Sequence, residues 1–242
     1  MNSPASYRAT SLHTQATSLH TQAPPFDTVR LRETLKNFLD RKIPGHGRLG
    51  SCRHGLYAFF DYDGEPIYVG QTVEQLGTRV RRHLTNQRTD AVAMGVLDPF
   101  EVRTVKVWPL WPEALVKLGK VAVRAQLDSL EAELFEKLLT ESRFHALLNE
   151  KPAPARKGKP AVLPEAFTAD LVEDDVAVLR EHPDIRLARR ASSIAKLAQI
   201  ISERKVSRQL RRVLVAQANR LAWLAEERAK AFAHVSDEAE EV

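Results

Sequence analysis

The sequence predicts a mixed α/β (α+β) fold: a small three-stranded antiparallel sheet flanked by helices, followed by a C-terminal helical hairpin. Three observations predict it. Two β-favouring arms flank a turn signal at 61–66, and a third alternating run occupies 100–108. Beyond residue 165, apolar residues recur at three- and four-residue steps, the period of amphipathic helices.

The first 25 residues hold a tandem repeat, Ala-Thr-Ser-Leu-His-Thr-Gln at 9–15 and again at 16–22. Its polarity and the following Pro24-Pro25 predict a disordered tail over 1–25. His13 and His20 are spaced by the duplication and are not read as metal ligands. A helix is expected over 28–41, with Leu31, Leu35, Phe38 and Leu39 on one face, ended by Pro44-Gly45-His46-Gly47.

The hairpin comes next. Its first arm, 56–62, is rich in aromatic residues; its second, 66–70, runs through Ile67, Tyr68 and Val69 and stops at Gly70; Asp63-Gly64 supplies the turn. After Gly70 the period becomes helical. Val73, Leu76, Val80 and Leu84 form one stripe, and Arg79 and His83, at i and i+4, project together along its edge. Tyr57, Tyr68, Arg79 and His83 can therefore converge beside the hairpin. Taken singly, the tyrosines read as ordinary strand aromatics, and Arg79 and His83 as part of a solvated basic helix with Arg81 and Arg82.

The third strand is expected over 100–108 and helices over 112–142. In the latter, Leu127, Leu134, Phe135 and Leu138 form the buried stripe, with Glu131 in its middle and Glu133 and Glu136 turned to solvent. A carboxylate on a core stripe is costly unless it is paired or binds a metal. Glu131 is thus the acid that needs an explanation, and an ion pair with Arg79 or Arg124 is its structural alternative.

Residues 151–164 combine Lys151, Arg156, Lys157 and Lys159 with Pro152, Pro154, Pro160 and Pro164, a composition that cannot build a core and reads as a basic Pro-rich linker or DNA-facing arm. It sets the domain boundary between a domain at 26–150 and a helical region at 165–235. In that region Leu187, Ala191, Ile194, Leu197 and Ile201 form one stripe; Val206, Leu210, Val213, Leu214, Leu221 and Leu224 form another, interrupted by Gln217. Arg186, Arg189, Arg190, Arg208, Arg211, Arg212 and Arg220 decorate these helices, and Arg189, Arg190, Arg208, Arg211 and Arg212 join Arg81 and Arg82 as candidate phosphate contacts. A solvated surface or dimerisation arm is held level with DNA binding. An acidic tail is expected over 236–242.

Composition narrows the class. The chain has 242 residues and 27.2 kDa, with net charge +5 and a pI near 9.4, which favours an acidic partner such as nucleic acid. Cys52 is the single cysteine, which excludes an internal disulfide and a multi-cysteine zinc site and fits a reducing cytoplasm. No apolar run approaches the roughly 20 residues that cross a bilayer, and no apolar signal segment opens the chain.

Taken together, Gly55-Leu56-Tyr57, Tyr68-Val69-Gly70, the helix with Arg79-Val80-Arg81-Arg82-His83, Glu131 on a later helix and Asn149 after it resemble the GIY-YIG nuclease family over residues 52–152. The ordered set is far more specific than either tripeptide. Gln71 stands where many relatives have lysine, and the interval from Glu131 to Asn149 is longer than expected. The resemblance implies a metal-dependent endonuclease that hydrolyses a phosphodiester with one Mg²⁺ or Mn²⁺ ion. It implies Tyr57 as general base, His83 as proton relay, Arg79 as clamp on the phosphoryl oxygen, Glu131 as metal ligand and Tyr68 as a partner of phosphate or water. Asn149 would fix the Glu131 helix. Arg79-Val80-Arg81-Arg82-His83 with Leu130-Glu131-Ala132 is most similar to the restriction-endonuclease branch, whose members usually dimerise. Repair, homing or mobile-element nucleases, a noncatalytic DNA-binding protein and an interaction protein stay open as alternatives.

Overall fold

The computed structural model describes residues 26–84, 96–116, 118–152, 154–155, 160–172 and 174–240. The tail expected at 1–25 lies outside them. The order is α1 (Phe26–Asp40), β1 (Lys42–Ile43), β2 (Gly47–Arg48), β3 (His54–Phe60), β4 (Pro66–Thr72), α2 (Leu76–Leu84), β5 (Thr104–Leu110), α3 (Lys120–Glu141), β6 (Phe167–Asp170), α4 (Asp174–Glu181), α5 (Pro183–Glu203) and α6 (Arg208–Glu240). The fold is mixed α+β, with two antiparallel sheets among the described residues: the small β1–β2 pair and a four-stranded sheet of order β4-β3-β5-β6.

The sheet therefore has four strands where three are expected. Phe167–Asp170 pairs with β5 from Val107↔Phe167 to Thr104↔Asp170. At four residues, with Phe167 and Thr168 as its strand formers beside Ala169 and Asp170, it carries too little pattern to be read locally. The third strand also starts later than expected, because Pro99–Glu101 forms a 3₁₀ turn capped by Asp98, whose carboxylate accepts from Phe100 N at 2.9 Å.

The β3–β4 hairpin is held at its turn by Asp61. Its Oδ1 accepts from Asp63 N at 2.9 Å and Glu65 N at 3.0 Å, and Gly64 takes the left-handed φ of +71° that this turn requires. Side chains alternate along β3 and give the sheet two buried faces. On one, Tyr57 and Phe59 pack with Leu31 and Leu35 of α1, Val80 of α2, and Leu197 and Val213 of α5 and α6. On the other, Leu56 and Ala58 pack against Leu127, Leu130, Leu134 and Leu138 of α3.

The expected boundary at 151–164 does not separate two cores. Residues beyond it supply β6 to the main sheet and Leu171, Val176, Leu197, Leu210 and Val213 to the core that holds Tyr57. The helical hairpin forms as expected, with α5 packed on α6; the expected α6 stripe is buried at Leu210, Val213 and Leu224, and on α5 Leu197 faces the core as expected while the rest of the inner face is rotated from the expected one. Ala191 is exposed, while Arg186, Arg190 and Leu197 are buried on α5, and Gln217 and Arg220 are buried on α6. Gln217 spends its amide on the Val96 carbonyl at 3.0 Å. Backbone helix continues to Glu240, where an acidic tail is expected from 236.

Candidate active site

Tyr57 on β3 stands opposite Gly70 on the edge strand β4. The tyrosine ring crosses the strand at that point, and a Cβ on Gly70 would collide with its hydroxyl and ring. This is the physical content of pairing one tripeptide with the other. Gly70→Ala is therefore expected to displace Tyr57 and to destabilise the fold by about 1–3 kcal/mol, the usual cost of overpacking a filled core. Urea denaturation checks it, and an unchanged midpoint would contradict the packing described.

A histidine and an arginine meet at the Tyr57 hydroxyl. It shares a 2.8 Å hydrogen bond with His83 Nε2 and accepts one of 3.2 Å from Arg79 Nε. The i, i+4 spacing of Arg79 and His83 on α2 brings both to the same oxygen. Burial works to lower the Arg79 pKa, but the charge and hydrogen bond of Tyr57, with Tyr68 and Glu74, overcome it and hold the guanidinium above its ordinary value. Tyr68 stacks with Tyr57 at a centroid distance of 6.3 Å and packs on His83 at 5.0 Å. His83 and Tyr68 are buried, and Tyr57 is fully enclosed, with Arg79 over its hydroxyl.

Gln71, the next residue along β4, faces the opposite side of the sheet. Its Nε2 donates to Glu131 Oε2 at 2.8 Å and to Asp128 Oδ1 at 2.5 Å, both on α3. Glu131 is only partly buried, at the edge of the α3 stripe. Burial is the main cause of its raised pKa, with the Asp128 charge adding and the Gln71 hydrogen bond opposing. Asp128 also pairs with Arg124 at 3.2 Å. Glu131 does not form the ion pair with Arg79 or Arg124 that stood as its alternative; an amide holds it. Glu133, expected in solvent, is partly buried as well.

Asn149 closes the edge of β4. Its Oδ1 accepts from Val69 N at 3.2 Å and its Nδ2 donates to Val69 O at 2.6 Å, completing both hydrogen bonds that an edge strand leaves open. It thus fixes β4 between Tyr68 and Gly70, and not the α3 helix. Residues from both faces of β4 and from this edge line one cavity of about 620 Å³, including Tyr57, Tyr68, Arg79, Glu131 and Asn149.

The basic residues divide. Arg81 is exposed on α2, and Arg82 pairs with Glu74 at 2.8 Å. Arg208, Arg211 and Arg212 are exposed on α6, and Gln209 beside them donates to the Asn149 carbonyl at 3.2 Å, so this end of α6 abuts the loop that closes the site. Arg190 is not available to a phosphate: it is 2% exposed and donates to Glu101 and Asp61 at 3.0 Å each. Arg189 is half-buried with its guanidinium 4.7 Å from the Phe100 ring centroid. Arg190 is a correction to the expected DNA contacts, because α5 turns its side inward, whereas Arg189 keeps part of its surface open.

Sequence reasoning missed Asp128 and the bridging role of Gln71. The signal for Asp128 was its place three residues before Glu131, on the same side of a helix. As for a metal, hard divalent cations take carboxylate oxygens and retain waters, and Glu131, with Asp128 beside it, suits that donor chemistry in a cavity with room for water. Among the described residues no three His, Cys, Asp or Glu side chains gather as a ligand set. No family model, curated protein or solved structure matches this chain. Among the described residues no helix is long and apolar enough to cross a membrane.

Proposed function

We propose that the chain is a metal-dependent DNA endonuclease of the GIY-YIG type, acting on phosphodiesters at the cavity over β4, with a restriction-type role as the leading biological setting. The observation that carries the reading is the meeting of Arg79, His83 and Tyr57 at one phenolic oxygen beside a cavity that Glu131 also lines.

In this reading His83 carries its hydrogen on Nδ1, so that its Nε2, 2.8 Å from the phenol oxygen, accepts the Tyr57 proton while Arg79 donates to that oxygen. A free tyrosine has a pKa of about 10, and a neighbouring cation favours the phenolate. A phosphate in the cavity takes the other N–H donors of the Arg79 guanidinium, so the cation that favours the phenolate stays beside it. The phenolate then takes a proton from the attacking water, the water oxygen bonds to phosphorus, and the 3′ oxygen leaves and is protonated from solvent, to which His83 returns the proton it received from Tyr57. Arg79 holds the phosphoryl oxygen as charge develops. Glu131 and Asp128 would hold Mg²⁺ or Mn²⁺, which supplies Lewis-acid stabilisation of the leaving oxygen. Tyr68 positions phosphate or water, and Asn149 keeps β4 in register beneath them.

Single-turnover cleavage at saturating DNA tests the assignment. Tyr57→Phe and Arg79→Ala are each expected to slow cutting by at least about 100-fold, as loss of a general base or a transition-state clamp does. A Tyr57→Phe protein that cuts at the normal rate would remove the base role from Tyr57. An active wild type that binds and cuts as a dimer would favour the restriction setting over repair.

A further inference from the structure

A second and larger cavity, about 800 Å³, adjoins the first and shares Val73 and Arg124 with it. Its make-up differs. Leu110, Leu115 and Val123 lie along it as apolar wall, and Trp111 lines it while stacked on His46 with centroids 4.5 Å apart and planes within 6°. Arg53 and Lys120 stand exposed on the same lining, and the acids beside it face partners already present: Glu113 lies 3.4 Å from His46, and Asp128 pairs with Arg124. Val73 and Val116 leave further apolar surface open, at 44% and 77% exposure.

Flat aromatic surface with cations around it is the chemistry of an unpaired nucleic-acid strand. Bases stack on rings whatever their identity, and lysine and arginine neutralise the phosphates between them. A base inside an intact duplex cannot enter such a recess. We propose that this groove binds an unpaired stretch of the DNA strand adjoining the scissile phosphate, with a base against the Trp111–His46 pair and phosphates on Arg53 and Lys120. The inference rests on the nuclease reading and deepens it: the strand leaves the catalytic cavity past Val73 and Arg124 and is held single-stranded on that side.

The test measures binding of a fluorescein-labelled oligothymidine to the full chain by anisotropy across a salt series, beside plasmid cleavage by the same samples. Trp111→Ala is expected to weaken binding about tenfold, within the range that loss of one stacking ring costs, and Trp111→Tyr to restore it. Arg53→Ala with Lys120→Ala, both at exposed positions, should lower the slope of log K against log salt by about 1.4, from about 0.7 per phosphate contact on a single strand. Unchanged affinity and slope in a protein that still cuts plasmid would overturn the groove and leave the nuclease reading standing. Trp111-dependent binding without any cutting would support the groove and overturn the reaction. A wild type that neither binds nor cuts would overturn both.

Discussion

Glu131→Ala is expected to abolish DNA cleavage, by about a thousandfold or more, while leaving DNA binding largely in place. Removing a single electrostatic stabiliser of a transition state costs about 10²–10³ in rate, and Glu131 would be the principal ligand of the ion that performs this role. The cations proposed to meet phosphate sit on other elements, with Arg79 and Arg81 on α2. Glu136→Ala is the matched control, because Glu136 is exposed on the same helix. Glu131→Gln separates chemistry from folding. Burial raises the Glu131 carboxyl above its ordinary 4.5, so the folded state binds this proton more tightly than the unfolded state. Stability from this group then falls as pH rises from the ordinary value through the raised one, and above both the charged carboxylate carries the full penalty. At pH 7, Glu131→Gln removes that penalty while keeping an oxygen to accept from Gln71. It should hold or raise the urea midpoint and still fail to cut; equal cutting by the Glu131 and Glu136 variants would refute the metal assignment.

Arg190→Ala is expected to destabilise the protein by about 3–5 kcal/mol, the cost of breaking a buried ion pair from one side. Arg186, Arg190 and Arg220 converge on Asp61, Asp63 and Glu101 in the interior between the β3–β4 turn and the α5–α6 hairpin. Arg186 is bidentate to Asp63, Arg190 joins Asp61 to Glu101, and Arg220 donates to Asp61. Asp61, 1% exposed, keeps Arg220, but Glu101, 8% exposed, loses the guanidinium hydrogen-bonded to it and is left as a carboxylate away from water. Burial works to raise Asp63, but its bond to Arg186 and the charges of Arg186, Arg190 and Arg220 overcome this and hold it below its ordinary value. The contribution of Asp63 is therefore present above the ordinary carboxyl range and lost as pH falls through its lowered folded value. Urea denaturation at neutral pH measures the effect. Exposed Arg211→Ala should stay within about 0.5 kcal/mol of wild type, and an equally small loss for Arg190→Ala would mean that the cluster does not anchor the hairpin.

That cluster also shows where sequence legibility stopped. The β3–β4 hairpin and α2 could be read because their signals are local: Asp63-Gly64 between aromatic arms, then a change from period two to period 3.6. The closeness of Tyr57, Arg79 and His83 followed from the i, i+4 rule and one strand pairing. On α5 the same logic was right for Leu197 and Ile201 and missed part of the inner face. Counting arginine as an outside residue centred the stripe toward Leu187 and Ala191, whereas Arg186 and Arg190 share the inward side with Leu197 and Ala191 is exposed. What makes that side tolerable is a set of acids about a hundred residues earlier, at Asp61, Asp63 and Glu101, which no local window contains. The Gln71 bridge to Asp128 and Glu131 was hidden for the same reason, since it joins an edge strand to a helix across 57 and 60 positions. Asn149 was legible as a residue but not in its task, because an amide that completes a strand edge is recognised only once the strand order places β4 outermost.

Incubation of the purified full chain with supercoiled plasmid, in Mg²⁺ or Mn²⁺ and in parallel with excess chelator, tests the central claim most directly. The expected result is nicked or linear DNA only where the metal is present, with ends that carry a 3′-hydroxyl. Plasmid that stays supercoiled at every metal concentration, with a protein that is folded and binds DNA, would contradict it.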